Sequence, residues 1–529
     1  MLKILTENQW RIALFGCTLT YFMIFSLLGI WRHWGYMTSV NDLGCYDQAI
    51  WTATQGQSLL NSINLGYTIN WLGFHFQPIL YTFAPLYKIY PTPHWLTLSQ
   101  SAALSLSALP IYAIARHVTN SEKKALIWTL IYLLNPFLIA AVTWDFHEVS
   151  LATLFISLGL YAITQKRLLL LIISSIFLLA CKEHFGLTVA GLGFIYGVIH
   201  KNRIVSATFL VIGIMMTALI IGVVMPSYSP TGQHLMIKPE NGMHTSNARY
   251  GWLGNSLSSA TKNLFLHPFI IIKTALLTMK GAAYLLTLLA PFLFLSVAAP
   301  IWIIPITGDL LVNLLSANPM HRSIFSYHSA TIIPLLTVAA IYGLPKFTPY
   351  LKKFSVASIL KHILFLNIIL AYFFFPFSLP GSMNFWHPAN IFASFDNREI
   401  IVKRMLENRS ISVQANLGSH FAERSSVFRF PDKIGDVDFI VLKLESPTKT
   451  MTPEDPAFIG TLAYHLQIIP ETYLTRVENI LNSKDYEPLY WDDPWLVLSK
   501  GETHQSSKTV QQIRTKLLML REEWTTQRN

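Results

Sequence analysis

The sequence predicts an all-α polytopic membrane domain of about eleven transmembrane helices, followed by a small soluble α/β domain. Three observations predict it. Apolar residues make up 52% of the 529 residues and charged residues 13%, where a soluble domain carries about 25% charged. Long apolar runs recur from Ile12 to Phe377, separated by short polar stretches. Beyond Phe377 those runs stop, and segments that alternate apolar and polar residues take over.

Taken in order, the first run is Ile12–Ile30, close to the ~20 residues that a straight helix needs to cross hydrocarbon. Lys3 and Arg11 precede it as in a secretory signal, but it ends in "WRHWGY" rather than a small-residue cleavage site, so an uncleaved first span is expected. Further runs are Trp95–Ala115, Ala125–Val142, Val149–Ile163, Leu168–Ala180, Gly186–Ile199, Ile204–Met225, Ala282–Val297, Pro300–Leu315, Ser329–Leu344 and Ile359–Phe377. Ile79–Tyr90 is shorter and carries Pro85 and Lys88, which suits a helix lying in the interface or dipping into it. Basic residues cluster in alternate loops: Arg116, Lys123 and Lys124; Lys166 and Arg167; Lys201 and Arg203; Lys346, Lys352 and Lys353. With those loops and the N-terminus in the cytoplasm, residues 1–380 form the membrane domain and 31–94 its first outer loop.

Within 381–503, "SISVQA", "DFIVLKL" and "PWLVLSK" read as strands, "YLTRVENILNSK" as a helix, and "YWDDPW" as a turn between two strands. An odd number of spans places this domain outside. Residues 504–529 read as a charged helix with a frayed tail. The net charge of +11 is spread over the loops in small clusters, a pattern of membrane anchoring and not of nucleic-acid binding. Cys17, Cys45 and Cys181 offer no sensible pair, so neither a disulfide framework nor a zinc site is indicated.

This topology gathers the polar outliers on one side. Asp42 and Asp47 follow the first span, and His75 precedes the interfacial helix. "TWDFHE" holds Asp145, His147 and Glu148, "CKEHFG" holds Lys182 and Glu183, and "NPMHRSIFSYH" holds His321, Arg322 and His328. Ionisable groups cost several kcal/mol near hydrocarbon, so a one-sided gathering marks a site. Each also has a structural reading by itself. Asp42 would cap a helix from Leu43 to about Gln55 with Gly56 as its stop, Lys182 would snorkel to headgroups or pair with Glu183, and the others would be solvated loop residues.

The order of "DLGCYDQAIW", "HFQPILYTFAPLY", "WDFHE", "KEHFGL", "YGWLGNS", "NPMHRSIFSYH" and "HFAERSSVFRFPD" resembles a family of bacterial polytopic proteins, domain of unknown function 2079, from about Asp42 to Lys443. Asn41 and His184 stand where that pattern has Phe and Asp. More remotely, the layout is similar to GT-C membrane glycosyltransferases of the protein mannosyltransferase and aminoarabinose transferase type. Those carry an acidic pair after the first span and then a helix ending in Gly, positions taken here by Asn41–Asp42 and Gly56. A Pro-Leu-Tyr-like run on a re-entrant helix is resembled by Pro78–Tyr81, and an acidic loop after the third span by Asp145–Glu148. Lys182 closes a Leu-rich run as a lysine does in those enzymes. Asn41 leaves one member of the acidic pair.

The resemblance implies a glycosyltransferase of the bacterial plasma membrane that moves a sugar from a polyprenyl-phosphate donor to an acceptor at the extracytoplasmic face. The residues suit that chemistry. Asp42, with Asp47 in reserve, would take the proton of the acceptor hydroxyl, a contribution of roughly 10²–10⁴ in rate. Lys182, Arg322 and His75 would meet the charge gathering on the leaving phosphate, with Asp145, His147, Glu148, Glu183, His321 and His328 lining the substrate. Membrane lipids are the other expected partners. The acids lack the ligand spacing of a metal site, which leaves assistance by a divalent cation open. Two other readings compete. A transporter or flippase of a lipid-linked or small polar substrate should hold its ionisable groups near the midplane. A non-catalytic envelope assembly protein would use its C-terminal domain to bind a partner.

Overall fold

The structure, a computed structural model, describes residues 7–235, 249–350, 355–375, 393–447, 453–454, 458–483, 485–501 and 507–525. It divides into two compact units, one of Met1–Leu27, Trp71–Ile79 and Thr97–Phe385, the other of Leu28–Asn70, Leu80–Leu96 and Trp386–Asn529. The expected boundary near residue 381 and the tail from 526 lie outside the described residues.

In the first unit the apolar runs lie on helices. By length and composition, five described helices can cross a membrane: Asn8–Trp34, His94–Thr119, Arg203–Tyr228, Ile332–Tyr350 and Val356–Phe374. Two bent pairs, Glu122–Leu133 with Pro136–Thr143 (53°) and Pro268–Thr278 with Gly281–Phe292 (65°), raise the number to seven. Val149–Thr164, Leu168–Cys181, Phe185–Ile199 and Pro300–Leu315 are apolar but shorter. At 1.5 Å per residue they fall short of a hydrocarbon core of about 30 Å. The bends have local causes. Asn135 accepts the Phe137 N–H and Pro136 opens the second helix of its pair. Pro300 and Pro305 lie in a 3-10 stretch, Pro300–Ile306, because proline offers no N–H to an α ladder.

The core of this unit runs along Ile332–Phe347, where every side chain from Ile332 to Leu344 except Tyr342 is buried. Phe185–Ile199 and Arg203–Leu219 approach closely through small residues. A Cβ on Gly186 would meet the Gly213 carbonyl oxygen at 2.3 Å, and one on Gly193 would meet Phe209 at 2.0 Å. Such seams hold helices together where lipid removes the hydrophobic drive.

The second unit centres on a five-stranded mixed sheet in the order Val427–Arg429, Ile411–Val413, Phe439–Lys443, Trp495–Lys500, Tyr486–Asp492. The first three strands run parallel and the last two join antiparallel. Helices Phe458–Leu466, Pro470–Ser483 and Ser507–Thr525 bury Leu462, Leu474 and Leu517 in its core. The strands expected from alternation and the helix expected at "YLTRVENILNSK" are present, the latter as Pro470–Ser483, while Val427–Arg429 is additional. Of the stretch expected as the first outer loop, the parts up to Asn70 and from Leu80 pack in this unit. Tyr36 is buried beneath the Lys443 ammonium, 3.9 Å from its ring centre. The expected interfacial helix is a 3-10 stretch, Pro78–Phe83, continued by the short helix Ala84–Ile89.

Candidate functional site

Three polar turns of the first unit share one plan, in which a helix ends, a few polar residues follow, and a new helix begins. Pro136–Thr143 gives way to extended Trp144, and Val149–Thr164 opens at Glu148, where a carboxylate suits the positive end of the helix dipole. Gln100 ties this turn down. Its carbonyl accepts the His147 N–H and the Ser150 hydroxyl, both at 3.0 Å, and its amide donates to the Trp144 carbonyl at 2.9 Å. His147 donates from Nδ1 to the Asp145 carbonyl at 3.0 Å. Lys182 leaves the Leu168–Cys181 helix in an extended conformation, and its ammonium donates to Glu148 Oε1 at 2.7 Å. Glu183 accepts the Phe76 N–H at 3.2 Å and faces His75 Nδ1 at 3.4 Å.

Charge and burial compete in these pairs. Burial alone would raise Glu148, but the Lys182 ammonium outweighs it and holds the carboxyl down to about 2. Burial also opposes ionisation of Glu183, yet the His75 hydrogen bond and the charge of Lys182 keep it below the usual range. His75 is pushed down to about 4 by burial, so at neutral pH it is an uncharged ring donating from Nδ1 to Glu183. His184, outside the predicted set, meets Asp309 at 3.3 Å, a carboxylate that also accepts the Thr331 hydroxyl at 2.8 Å.

The Asn318–His328 segment completes the cluster. Asn318 caps the 3-10 turn Pro319–Arg322 by accepting the Met320 N–H. Arg322 fastens that turn, donating from Nε to the Met279 carbonyl at 2.8 Å and from Nη1 to those of Asn313 and Ser316 at 2.8 and 2.6 Å. The rings of His147, Tyr327, His328 and His321 stack in series, with centres 3.4, 4.0 and 3.9 Å apart. At the end of the column the Arg249 guanidinium donates from Nη1 to His321 Nε2 at 3.1 Å. A guanidinium only donates, so Nε2 accepts and the ring hydrogen of neutral His321 sits on Nδ1. That Nδ1 and Arg249 Nε are buried without a hydrogen-bond partner among the described residues. Burial, then the Arg249 and Lys182 charges, push His321 well below the usual imidazole range, and burial with His321 does the same to His328. The chemistry left over is cationic with unmade N–H bonds, and it suits an oxyanion.

The two candidate acids belong to the second unit. Ser39 caps the turn Val40–Gly44 by accepting the Asn41 N–H at 3.2 Å, so Asp42, half-buried within that turn, is not the cap. The helix Cys45–Thr54 follows and stops at Gly56, whose φ of +78° suits a residue without a Cβ. Asp47 is fully buried, with Oδ1 accepting the Tyr87 hydroxyl at 2.7 Å and Oδ2 without a partner among the described residues. Burial and then the nearby Glu423 carboxyl push Asp47 well above the carboxylate range. Burial likewise pushes Glu423 up to about 7.

The family described as "Predicted membrane protein (DUF2079)" matches residues 32–456. The chain belongs to this family. No curated protein matches it. Among solved structures, this DUF2079 chain is similar to ArnT from Cupriavidus metallidurans, crystallised bound to undecaprenyl phosphate, with a TM-score of 0.50 and 11% identity over 94% of this chain and 100% of that one. At that identity the likeness gives the fold alone.

Within the first unit, His75, Glu183, Lys182 and Glu148 pair with one another, and His147, His321 and His328 form the ring column. Sequence reasoning missed Gln100, Arg249, Tyr327, Tyr87 and Glu423. Arg249 had a signal, since it directly precedes "YGWLGNS", whose Tyr250 and Trp252 tack the chain to the Val312 and Leu315 carbonyls at 3.2 and 2.8 Å. Among the described residues, no group of three or more His, Cys, Asp or Glu side chains is placed to hold a metal ion.

Proposed function

We propose that this DUF2079 protein is a GT-C type membrane glycosyltransferase that moves a sugar from a polyprenyl-phosphate carrier to an acceptor. The reaction takes place at the extracytoplasmic face of the bacterial plasma membrane, in a chain of about eleven spans with its N-terminus inside and its C-terminal unit outside. The observation that carries this reading is the set of donors at Lys182, Arg249 and His321, two of them with unmade hydrogen bonds. A phosphate oxyanion is the kind of ligand such charged donors suit. The undecaprenyl phosphate bound by the structurally similar ArnT is a ligand of that chemistry.

In this reading the acceptor oxygen attacks the anomeric carbon while its O–H bond breaks and the proton passes to the Asp42 carboxylate. The bond from the anomeric carbon to the phosphate oxygen breaks, and its electron pair stays on the phosphate. Lys182, Arg249 and the Nδ1–H of His321 stabilise that growing charge. Glu148 keeps Lys182 charged and aimed, and Arg322 holds the turn that presents His321. Asp47 is buried and its carboxyl is pushed upward, which makes it the less suited of the two acids, and the role is given to Asp42.

The test is binding of a short-chain polyprenyl phosphate to the full chain in lipid nanodiscs, followed by native mass spectrometry. Wild type is expected to bind it and Arg249→Ala to bind at least about tenfold more weakly, the scale of one charge-assisted hydrogen bond. Lys182→Arg should bind better than Lys182→Ala, because the charge matters more than its shape. Equal binding by wild type and all three variants would remove the phosphate from this cluster.

A further inference from the structure

The helix Arg398–Leu406 takes no part in the chemistry above, and its two sides differ. Glu399, Val402 and Leu406 are buried in the second unit. Ile400, Ile401 and Met405 face the other way and are 39%, 46% and 38% exposed. At 100° per residue, these three and Arg404 fall within about 140° of arc. Arg404 is exposed too, and its guanidinium has no partner among the described residues. Its basic neighbours are engaged: Arg398 pairs with Asp396 at 2.9 Å, Lys403 with Glu399 at 2.7 Å and Arg409 with Asp438 at 3.3 Å. Glu407, which ends the helix, makes no ion pair with Arg404. The outer face is therefore apolar with one uncommitted cation.

Contacts on the inner side fix the level at which this helix lies. The end of the membrane-crossing helix Asn8–Trp34, from Leu28 onward, and the start of His94–Thr119, as far as Leu96, belong to this same unit. The rings of His33 and His94 meet edge-on at 5.2 Å, and Trp34 meets His94 at 6.2 Å. His420 stacks flat on His33, with centres 3.8 Å apart, and its Nε2 lies 2.9 Å from the His33 carbonyl oxygen. On its other side Nδ1 lies 2.9 Å from Glu399 Oε2, which also accepts the Tyr36 hydroxyl at 3.1 Å. His420 and Glu399 thus join the helix Arg398–Leu406 to the ends of two spans, the depth of headgroups and not of bulk water. Trp31, Trp34 and Trp95 stand at those ends, the residue type that collects at a membrane–water interface.

We propose that Arg398–Leu406 is an interfacial helix whose partner is an anionic phospholipid surface. Ile400, Ile401 and Met405 enter the boundary between headgroups and acyl chains. The stem of Arg404 lies among them and its guanidinium donates to lipid phosphates. The span Val356–Phe374 precedes this helix in the chain, so the bilayer is the surface the chain has just left. A helix of 9 residues would hold a bilayer weakly by itself. Two spans already keep this one at the surface, so the contact forms within one molecule at high effective concentration. The proposal is independent of the glycosyltransferase reading, since it needs only that the two helices cross a membrane.

The test is a nitroxide spin label on the full chain in lipid nanodiscs, carried by Ile401→Cys or Met405→Cys, with Cys17→Ala removing the half-buried native thiol. Lys508→Cys, exposed on the helix Ser507–Thr525, is the reference for water. Oxygen concentrates in lipid and a nickel chelate in water, so the ratio of their collision rates reports what surrounds each label. In phosphatidylcholine with phosphatidylglycerol, the labels at 401 and 405 should favour oxygen, and the label at 508 the chelate. In phosphatidylcholine alone the preference at 401 should shift toward the water value, and Arg404→Glu should abolish the difference between the two lipids. Labels at 401 and 405 that match the one at 508 would overturn the proposal by putting this face in water. Labels that meet neither reagent would overturn it by putting a protein surface there, such as a second copy of the chain. An undiminished response to phosphatidylglycerol in Arg404→Glu would overturn the pairing of Arg404 with anionic lipid.

Discussion

Asp42 and Asp47 sit on one short stretch and have opposite prospects as bases. Asp47 is buried with its carboxyl pushed well above the carboxylate range, so Asp47→Asn keeps the shape and removes only a charge that burial already disfavours. It should change stability by less than about 1 kcal/mol in chemical denaturation and keep most of the turnover. Tyr87→Phe, by contrast, leaves the Asp47 Oδ1 without its donor and should cost about 1–3 kcal/mol in the same measurement. Asp42→Asn should insert, fold and bind polyprenyl phosphate normally, since Ser39 and not Asp42 caps the turn, yet lose at least ~100-fold in turnover. Lys182→Ala removes the ammonium that the buried Glu148 carboxylate accepts from, with an expected loss of about 3–5 kcal/mol, and adding Glu148→Gln should recover part of it. Sequence pattern could find these residues because an ionisable group among apolar runs is conspicuous. It could not tell a base from a buried acid, because that difference comes from burial and from Glu423, far away in the chain.

Elements were legible to the extent that hydropathy reports them. The apolar runs from Ile12 onward lie on helices, several of them broken or partly 3-10, and "DFIVLKL" and "PWLVLSK" became neighbouring antiparallel strands. Bends were less legible, since hydropathy is blind to direction and the break at Asn135–Pro136 leaves the apolar run uninterrupted. The glycine seam was also hidden, because its meaning depends on which helix lies opposite. Gly186→Ala places a methyl group 2.3 Å from the Gly213 carbonyl oxygen and must push two helices apart. Gly222→Ala meets nothing within 4 Å. The first should destabilise the protein by about 1–3 kcal/mol, and the second should be neutral or stabilising by up to about 1 kcal/mol. Thermal unfolding of the two variants side by side checks the pair.

For the whole molecule, charge in the loops sets the expected orientation, and a cysteine at position 446 reports it. Cys45 and Cys181 are buried and Cys17 half-buried, so Ser446→Cys should dominate labelling by an impermeant thiol reagent in intact spheroplasts. Labelling only after lysis would put the C-terminal unit inside and dismantle the proposed outer site. What sequence could not show at this scale is that Leu28–Asn70 folds with the C-terminal sheet, through bonds such as His420 to His33 across 387 positions. Loops that far apart carry no shared periodicity to read. The central claim is that the protein breaks the bond between a sugar and a lipid phosphate. Its most direct test is reconstitution in vesicles with a polyprenyl phosphate bearing a radiolabelled sugar, with thin-layer separation of the products. The account predicts release of free polyprenyl phosphate by wild type and by Asp47→Asn, and none above background by Asp42→Asn. Label that crosses the vesicle membrane still attached to its lipid, with no free polyprenyl phosphate formed, would contradict it and make the protein a transporter.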